Sequence, residues 1–331
     1  MKKLINKPEN YVDEVLQGMA AAHPETYAIG GATGRMLHRP QPVAQKVGVV
    51  SGGGFGHIPV FGGYIGDGLL DACAVGDVFA SPDMNPMLES IQFASTGKGV
   101  LCIVGNYGGD RMNFDMACEM AEMEDITAVK VVVADDVAAA PPEEAEKRRG
   151  VAGFVYVTKI AGAAAAAGYD LIQTQNVAQK AADNIRSIGV ALTSCTVPQA
   201  GKPTFDIADD EIEIGMGIHG EPGVGRSKLT SVDTIADQMI DRLLTDKPVN
   251  SGERVAILVN GLGATPIEEL YLVMRRAKAR LADLGAELAH IRVGNYATSM
   301  EMAGASITLM HLDDELECLL NAGADCPFWR N

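Results

Sequence analysis

The sequence predicts an α/β protein of two domains, and three observations carry that expectation. Short apolar runs at residues 47–50, 100–104 and 128–133 end abruptly, the first two in glycine-rich loops. Segments with helical spacing, such as 84–94 and 114–122, lie between those runs. Beyond Ser187 the pattern changes to strand-like segments interleaved with long amphipathic helices. Strands alternating with helices imply a doubly wound, mainly parallel sheet over residues 1–186, and the later pattern implies an α/β domain with a mixed sheet over 187–331.

The elements follow in order. Val12, Val15, Leu16 and Met19 recur at helical spacing, which predicts an amphipathic helix over 10–22. The run 47–50 leads into Ser51-Gly52-Gly53-Gly54, and 100–104 leads into Gly105-Asn106-Tyr107-Gly108-Gly109-Asp110. The third run stops near Asp135 and Asp136. Ligands of parallel sheets bind where such strands end. An alanine-rich stretch over 153–167 reads as a tightly packed buried helix, followed by a second over 171–185. Strands are then expected at 188–192 and 211–214, an amphipathic helix at 229–244, and a buried strand at 254–259. A helix over 267–284 and a strand over 287–293 follow, and 306–310 is expected to close the sheet.

Composition narrows the function. Hydrophobic residues are 47% of the 331, enough for a sizeable core, and aromatics are only 5%, which implies aliphatic packing. A formal charge of −16 argues against nucleic acid and anionic membranes as partners. No apolar window has the length of a membrane span and no signal-peptide core follows the first residues, so a cytoplasmic location is expected. Cys73, Cys102, Cys118, Cys195, Cys318 and Cys326 form no C-x-x-C pair and read as reduced, mostly buried thiols, not a zinc site. The 15 methionines suggest adaptable packing and not a binding groove. The charged run 143–149 reads as a solvated helix face, and His23, His38, His290 and His311 as surface or structural residues.

The segment Gly215-Met216-Gly217-Ile218-His219-Gly220-Glu221-Pro222-Gly223 strips side chains away from around one imidazole. Such backbone approaches a small ligand closely, whereas a packed core gains little from glycine. His219, His57 in the first glycine loop and Asp110 in the second together fit a nucleophile and acid–base set. The same trio fits a hydrogen-bonded structural cluster equally well. The Walker pattern G-x-x-x-x-G-K-[ST] is absent, so neither glycine loop reads as a phosphate cradle.

Longer motifs distinguish these readings. S-G-G-G-x-G-H-x-P at 51–59, N-Y-x-G-D-x-x-N-F at 106–114, S-I-G-x-A-L-x-x-C-T-V-P-x-A-G-K-P at 187–203 and G-x-G-I-H-G-E-P-G at 215–223 occur in one order. N-x-L-G-A-T-P at 260–266 and S-I-T-L-x-x-x-D-D-E at 306–315 follow. Over essentially its whole length the chain resembles the DhaK-type substrate-binding subunit of dihydroxyacetone kinases. The resemblance implies that His219 adds to the carbonyl of a short ketose, giving a hemiaminal. It implies that Asp110 takes the proton from the attacking hydroxyl and that His57 hydrogen-bonds the substrate. Gly54, Phe55 and Gly56 would line the pocket. ATP or ADP with magnesium is expected on a separate DhaL-type subunit, recharged in some bacteria by a phosphotransferase-system protein, and none on this chain. A homodimer is expected as well.

The chain departs from the family pattern at three positions. Phe55 stands where the family has serine, Ile58 where it has glutamate, and Gly105 where many members have lysine. Two readings follow. One is a kinase subunit for dihydroxyacetone or a longer ketose such as erythrulose. The other is an idle paralogue that senses the ketose and signals to a transcription regulator. Retention of Asp110 favours the first.

Overall fold

The computed structural model describes residues 2–331. Helix α1 (Tyr11–Ala22) leads into a six-stranded sheet built from β1 (Ala28–Gly30), β2 (Met36–His38), β3 (Gly48–Phe55), β4 (Ala72–Val78), β5 (Val100–Gly105) and β6 (Ala128–Val133). The order is β1-β2-β4-β3-β5-β6. Strands β4, β3, β5 and β6 run parallel, while β2 pairs antiparallel with both β1 and β4. Every residue of β3 and β5 is buried, which is why both read as apolar or glycine runs, broken only by Ser51, instead of alternating ones.

Helices lie on both faces of this sheet. On one face, α2 (Met84–Ala94) and α3 (Gly108–Glu122) set Met87, Ile91, Phe114 and Ala117 against Val50, Cys102 and Val104. On the other, α4 (Phe154–Ala166) and α5 (Leu171–Asp183) cover Val49, Leu101 and Ile103. Asp110, expected in a loop, lies in the first turn of α3, because the helix starts at Gly108 well before the apolar periodicity begins.

The second six-stranded sheet has the order β11-β10-β12-β7-β8-β9. Its strands are β7 (Ile185–Ala191), β8 (Glu211–Ile214), β9 (Gly225–Lys228), β10 (Arg254–Gly261), β11 (Glu287–Gly294) and β12 (Gly304–His311). Only β10 and β11 pair in parallel, so the sheet is mixed. Strand β12, expected to close it, lies between β10 and β7. Helices α6 (Val232–Asp246) and α7 (Ile267–Asp283) pack on one face through Met239, Ile240, Leu270 and Leu281. The other face sends Ala256, Leu258 and Met310 into the same core as α4, joined by Leu316 and Leu319 of α8 (Asp314–Asn321). A short pair, β13 (Asp325–Cys326) and β14 (Trp329–Arg330), ends the chain.

Helix α4 therefore sits in a core shared by both sheets, with every residue from Phe154 to Ala165 buried. Burying side chains such as Phe154 or Ile160 stabilises the fold by about 1.5–3 kcal/mol each. The charged run before α4 is a solvated face only in its first part, where Glu143, Glu144, Glu146 and Lys147 are exposed. Pro142–Lys147 form a 3-10 turn, while Arg148 is 1% exposed and ion-paired with Asp246, which also receives Arg186 Nε at 2.5 Å. None of the cysteines is in a disulfide. Among the described residues no helix is long and apolar enough to cross a membrane.

Candidate active site

His57 follows β3 by two residues, and Asp110 opens the helix after β5, so both stand at the carboxyl ends of parallel strands. The glycines before His57 do not cradle an anion. A Cβ on Gly53 would fall 2.0 Å from the Phe61 ring, and one on Gly54 would fall 2.8 Å from the Ala80 nitrogen. Glycine is required there because neighbouring chain packs directly on the strand.

The His57 ring is fully buried, stacked on Phe79 at 4.9 Å and 14°. Its Nδ1–H donates to the Thr298 carbonyl oxygen at 2.8 Å, which leaves a lone pair on Nε2 with no protein partner. Burial, reinforced by His219, pushes the imidazole down to about 3, so it is neutral throughout the physiological range.

His219 lies in the loop between β8 and β9 and meets three rings edge-on: His57 at 4.8 Å, Tyr107 at 4.9 Å and Phe79 at 5.2 Å. Its Nδ1 is 2.7 Å from Glu221 Oε1, and its backbone N–H donates to Glu221 Oε2 at 2.9 Å. Burial alone would raise the Glu221 carboxyl, but the hydrogen bond and charge of His219 outweigh it and hold Glu221 at about 2.

Asp110 is 5% exposed, and its Oδ1 has no protein partner. Burial raises the carboxyl to about 6, against the opposing pull of the Ser81 hydroxyl and His219. The start of a helix favours an anion, yet desolvation dominates here. A Cβ on Gly105 would lie 3.3 Å from the Tyr107 ring and 3.9 Å from Asp110 Oδ2, so Tyr107 borders the space beside the carboxylate.

The loop after β11 ties the two histidines to one another. Thr298 N–H donates to the His57 carbonyl at 3.2 Å, and the Ser299 hydroxyl donates to the Ile218 carbonyl at 2.5 Å. Sequence reasoning missed Thr298, Ser299, Phe79 and Glu221. Glu221 was visible inside the His219 motif, whereas the others carry no local signal.

Phe55 does not join the four rings. It is 7% exposed, meets Tyr11 edge-on at 6.0 Å, and with Ile58 lines a groove of about 390 Å³ beside the amino-terminal segment. Gly56 spends its carbonyl on the Met300 N–H at 2.8 Å. Among the described residues no group of three or more His, Cys, Asp or Glu is placed to hold a metal ion. With the glycine strand closed by Phe61 and Ala80, the residues present do not fit a magnesium nucleotide.

A Dak1 domain matches residues 17–328. The chain belongs to the Dak1 family. It is 42% identical over 316 residues to the dihydroxyacetone-binding subunit DhaK of PTS-dependent dihydroxyacetone kinase 1 from Listeria innocua, covering 95% of each chain. It is 39% identical to L-erythrulose kinase of Pectobacterium atrosepticum, covering 100% of this chain and 56% of that one. Among solved Dak1 structures, it superposes on the dihydroxyacetone kinase of C. freundii in complex with AMP-PNP and Mg2+ with TM-score 0.92 and 33% identity. That alignment covers 99% of this chain and 61% of the larger one, so this chain spans about three fifths of it. It also superposes on the dihydroxyacetone kinase operon co-activator DhaQ, with TM-score 0.88 and 32% identity over 94% of this chain and 96% of that one.

Proposed function

We propose that this Dak1 chain is the ketose-binding subunit of a two-component dihydroxyacetone-type kinase, acting in the cytoplasm as a homodimer. The observation that carries the reading is the convergence of His219, neutral His57 and the buried Asp110 carboxyl on one site. His219 adds to the carbonyl of a short ketose and holds it as a hemiaminal, a bond that glycerol cannot form. Asp110 accepts the proton of the hydroxyl that attacks phosphorus, and the His57 Nε2 lone pair accepts a hydrogen bond from the substrate. Gly54, Phe55 and Gly56 form the wall behind His57. The division near residue 187 separates the domain carrying His57 and Asp110 from the one carrying His219.

Phosphoryl transfer requires cations around the moving group. A DhaL-type partner brings them with ATP or ADP and magnesium, and the end-to-end match to PTS-dependent subunits supports a phosphotransferase-system phosphodonor. The test is to combine the chain with such a partner, magnesium, a phosphodonor and a panel of short ketoses, with glycerol as control. Phosphorylation of dihydroxyacetone or erythrulose but not glycerol is expected, and no transfer to any ketose would sink the kinase reading.

The likeness to the co-activator DhaQ supports a second reading, in which the chain binds the ketose and signals to a regulator. The unpartnered, raised carboxyl of Asp110 favours the kinase, since a sensor has no use for a base.

A further inference from the structure

We infer that Glu221 is the positioning residue of the site: it fixes the proton of His219 on Nδ1, aims Nε2 at the ketone, and offsets the charge that builds on the ring during addition. The inference rests on the proposed covalent role of His219 and goes beyond it by assigning a function to the neighbouring carboxylate.

The geometry is specific. Both carboxylate oxygens of Glu221 are committed to His219, Oε1 to the ring at 2.7 Å and Oε2 to the backbone N–H at 2.9 Å. A carboxylate only accepts, so Nδ1 carries the hydrogen and the lone pair lies on Nε2. The loop is shaped to hold the carboxylate there. A Cβ on Gly217 would stand 2.1 Å from Glu221 Oε2, so no other residue admits this approach. The Gly217 N–H donates to the Glu221 carbonyl at 3.0 Å. Arg149 clasps the loop from outside, donating to the Gly215 carbonyl at 2.9 Å while its Nε binds Asp136 at 2.8 Å.

The chemistry uses this arrangement directly. The Nε2 lone pair forms a C–N bond to the carbonyl carbon, and the C=O π pair moves onto oxygen. The ring becomes cationic while its Nδ1–H stays donated to Glu221, so the carboxylate offsets the charge that addition builds on the ring. The alkoxide then takes a proton from solvent. The adduct keeps its Nδ1–H donated to Glu221, so the step adds Nε2 to carbon and one solvent proton to oxygen, and the single positive charge taken up rests on the ring beside the carboxylate.

The test uses the full chain with nitrogen-15 histidine and carbonyl-labelled dihydroxyacetone, comparing wild type with Glu221→Gln and Glu221→Asp. Without ketose, the wild-type His219 resonances should be those of the Nδ1–H tautomer. Glu221→Gln should shift them toward the other tautomer, weaken adduct formation at least tenfold and raise KM more than it lowers kcat. Glu221→Asp should restore part of each. A wild-type His219 protonated on Nε2 overturns the proposal even if no variant folds. So does a folded Glu221→Gln protein with wild-type tautomer and adduct affinity within twofold. Absence of any adduct on the wild type would instead strike the covalent reading of His219, while the tautomer would still decide independently whether Glu221 orients the ring.

Discussion

The imidazoles of His57 and His219 meet edge to face, with ring centroids 4.8 Å apart and planes at 68°. One ring follows a strand of the first sheet and the other lies in a loop of the second, so the pair is made by the packing of the sheets. The two rings also differ in what they face: a neutral carbonyl for His57, an ionised carboxylate for His219. That asymmetry supports the proposed division of parts, with His57 as acceptor and His219 as nucleophile.

Asp110→Asn should lower phosphoryl transfer by roughly 10²–10⁴ while leaving the ketose adduct on His219 intact. Steady-state rates with the partner subunit and intact-protein mass spectrometry check the two halves of this expectation. Full activity in the variant would remove Asp110 as the base.

The raised carboxyl of Asp110, at about 6 against 3.8 for an ordinary aspartate, has two consequences. Transfer should decline as pH falls through about 6, as the base is protonated. Stability runs the other way. The folded chain keeps a proton between these values that the unfolded chain releases, so this group's contribution is full below about 4 and lost as pH rises through 6. Asp110→Asn should therefore stabilise the protein above pH 6, by at most ~3 kcal/mol, in urea melts at pH 8 compared with pH 4.

His57 titrates in the opposite sense. Burial holds it at about 3, below the ordinary 6.5, so the unfolded chain binds a proton that the folded chain refuses. Stability is lost as pH falls from 6.5 toward 3, by at most ~5 kcal/mol. His57→Gln, which still offers a donor to Thr298, should flatten this acid limb of the urea midpoint against pH.

Arg148→Met should cost about 3–5 kcal/mol, because it leaves the buried Asp246 with Arg186 as its only remaining arginine partner. Denaturant unfolding reads the loss, and adduct formation at saturating ketose should remain unchanged. Gly53→Ala should cost about 1–3 kcal/mol through its clash with Phe61. A second change, Phe61→Leu, should recover part of it.

Much of this was legible in the chain itself. Strands β3, β5 and β6 of the first sheet and the long helices were marked by apolar runs and periodicity, because a strand buried on both faces, as β3 and β5 are, has few polar positions to interrupt it. Strands β1 and β2 escaped notice because each is only three residues long, and β9 because it is wholly exposed. Strand β4 was hidden by its interior Gly76 and exposed Asp77. Within the site, His57, Asp110 and His219 stood in recognisable motifs. Thr298 and Phe79 did not, since their parts are a backbone carbonyl and a stacked ring, and neither leaves a trace in residue type. Arg148 and Arg149 were misjudged because a run of charges reads alike whether it faces water or a buried carboxylate.

Helix α4 also determines how the protein can move. It fills a core held jointly by both sheets, and Thr298 pins His57 across the junction. A hinge that swung the halves apart would expose that core, so clamshell closure is not available to this molecule. For the proposed site, that leaves access to the histidines to rotation of rings such as Tyr107, which packs edge-on against His219, and to excursions of the loops that carry them. Those motions belong to the nanosecond-to-microsecond range, faster than a domain swing. Access to the proposed site is thus a local matter of rings and loops, not of domains.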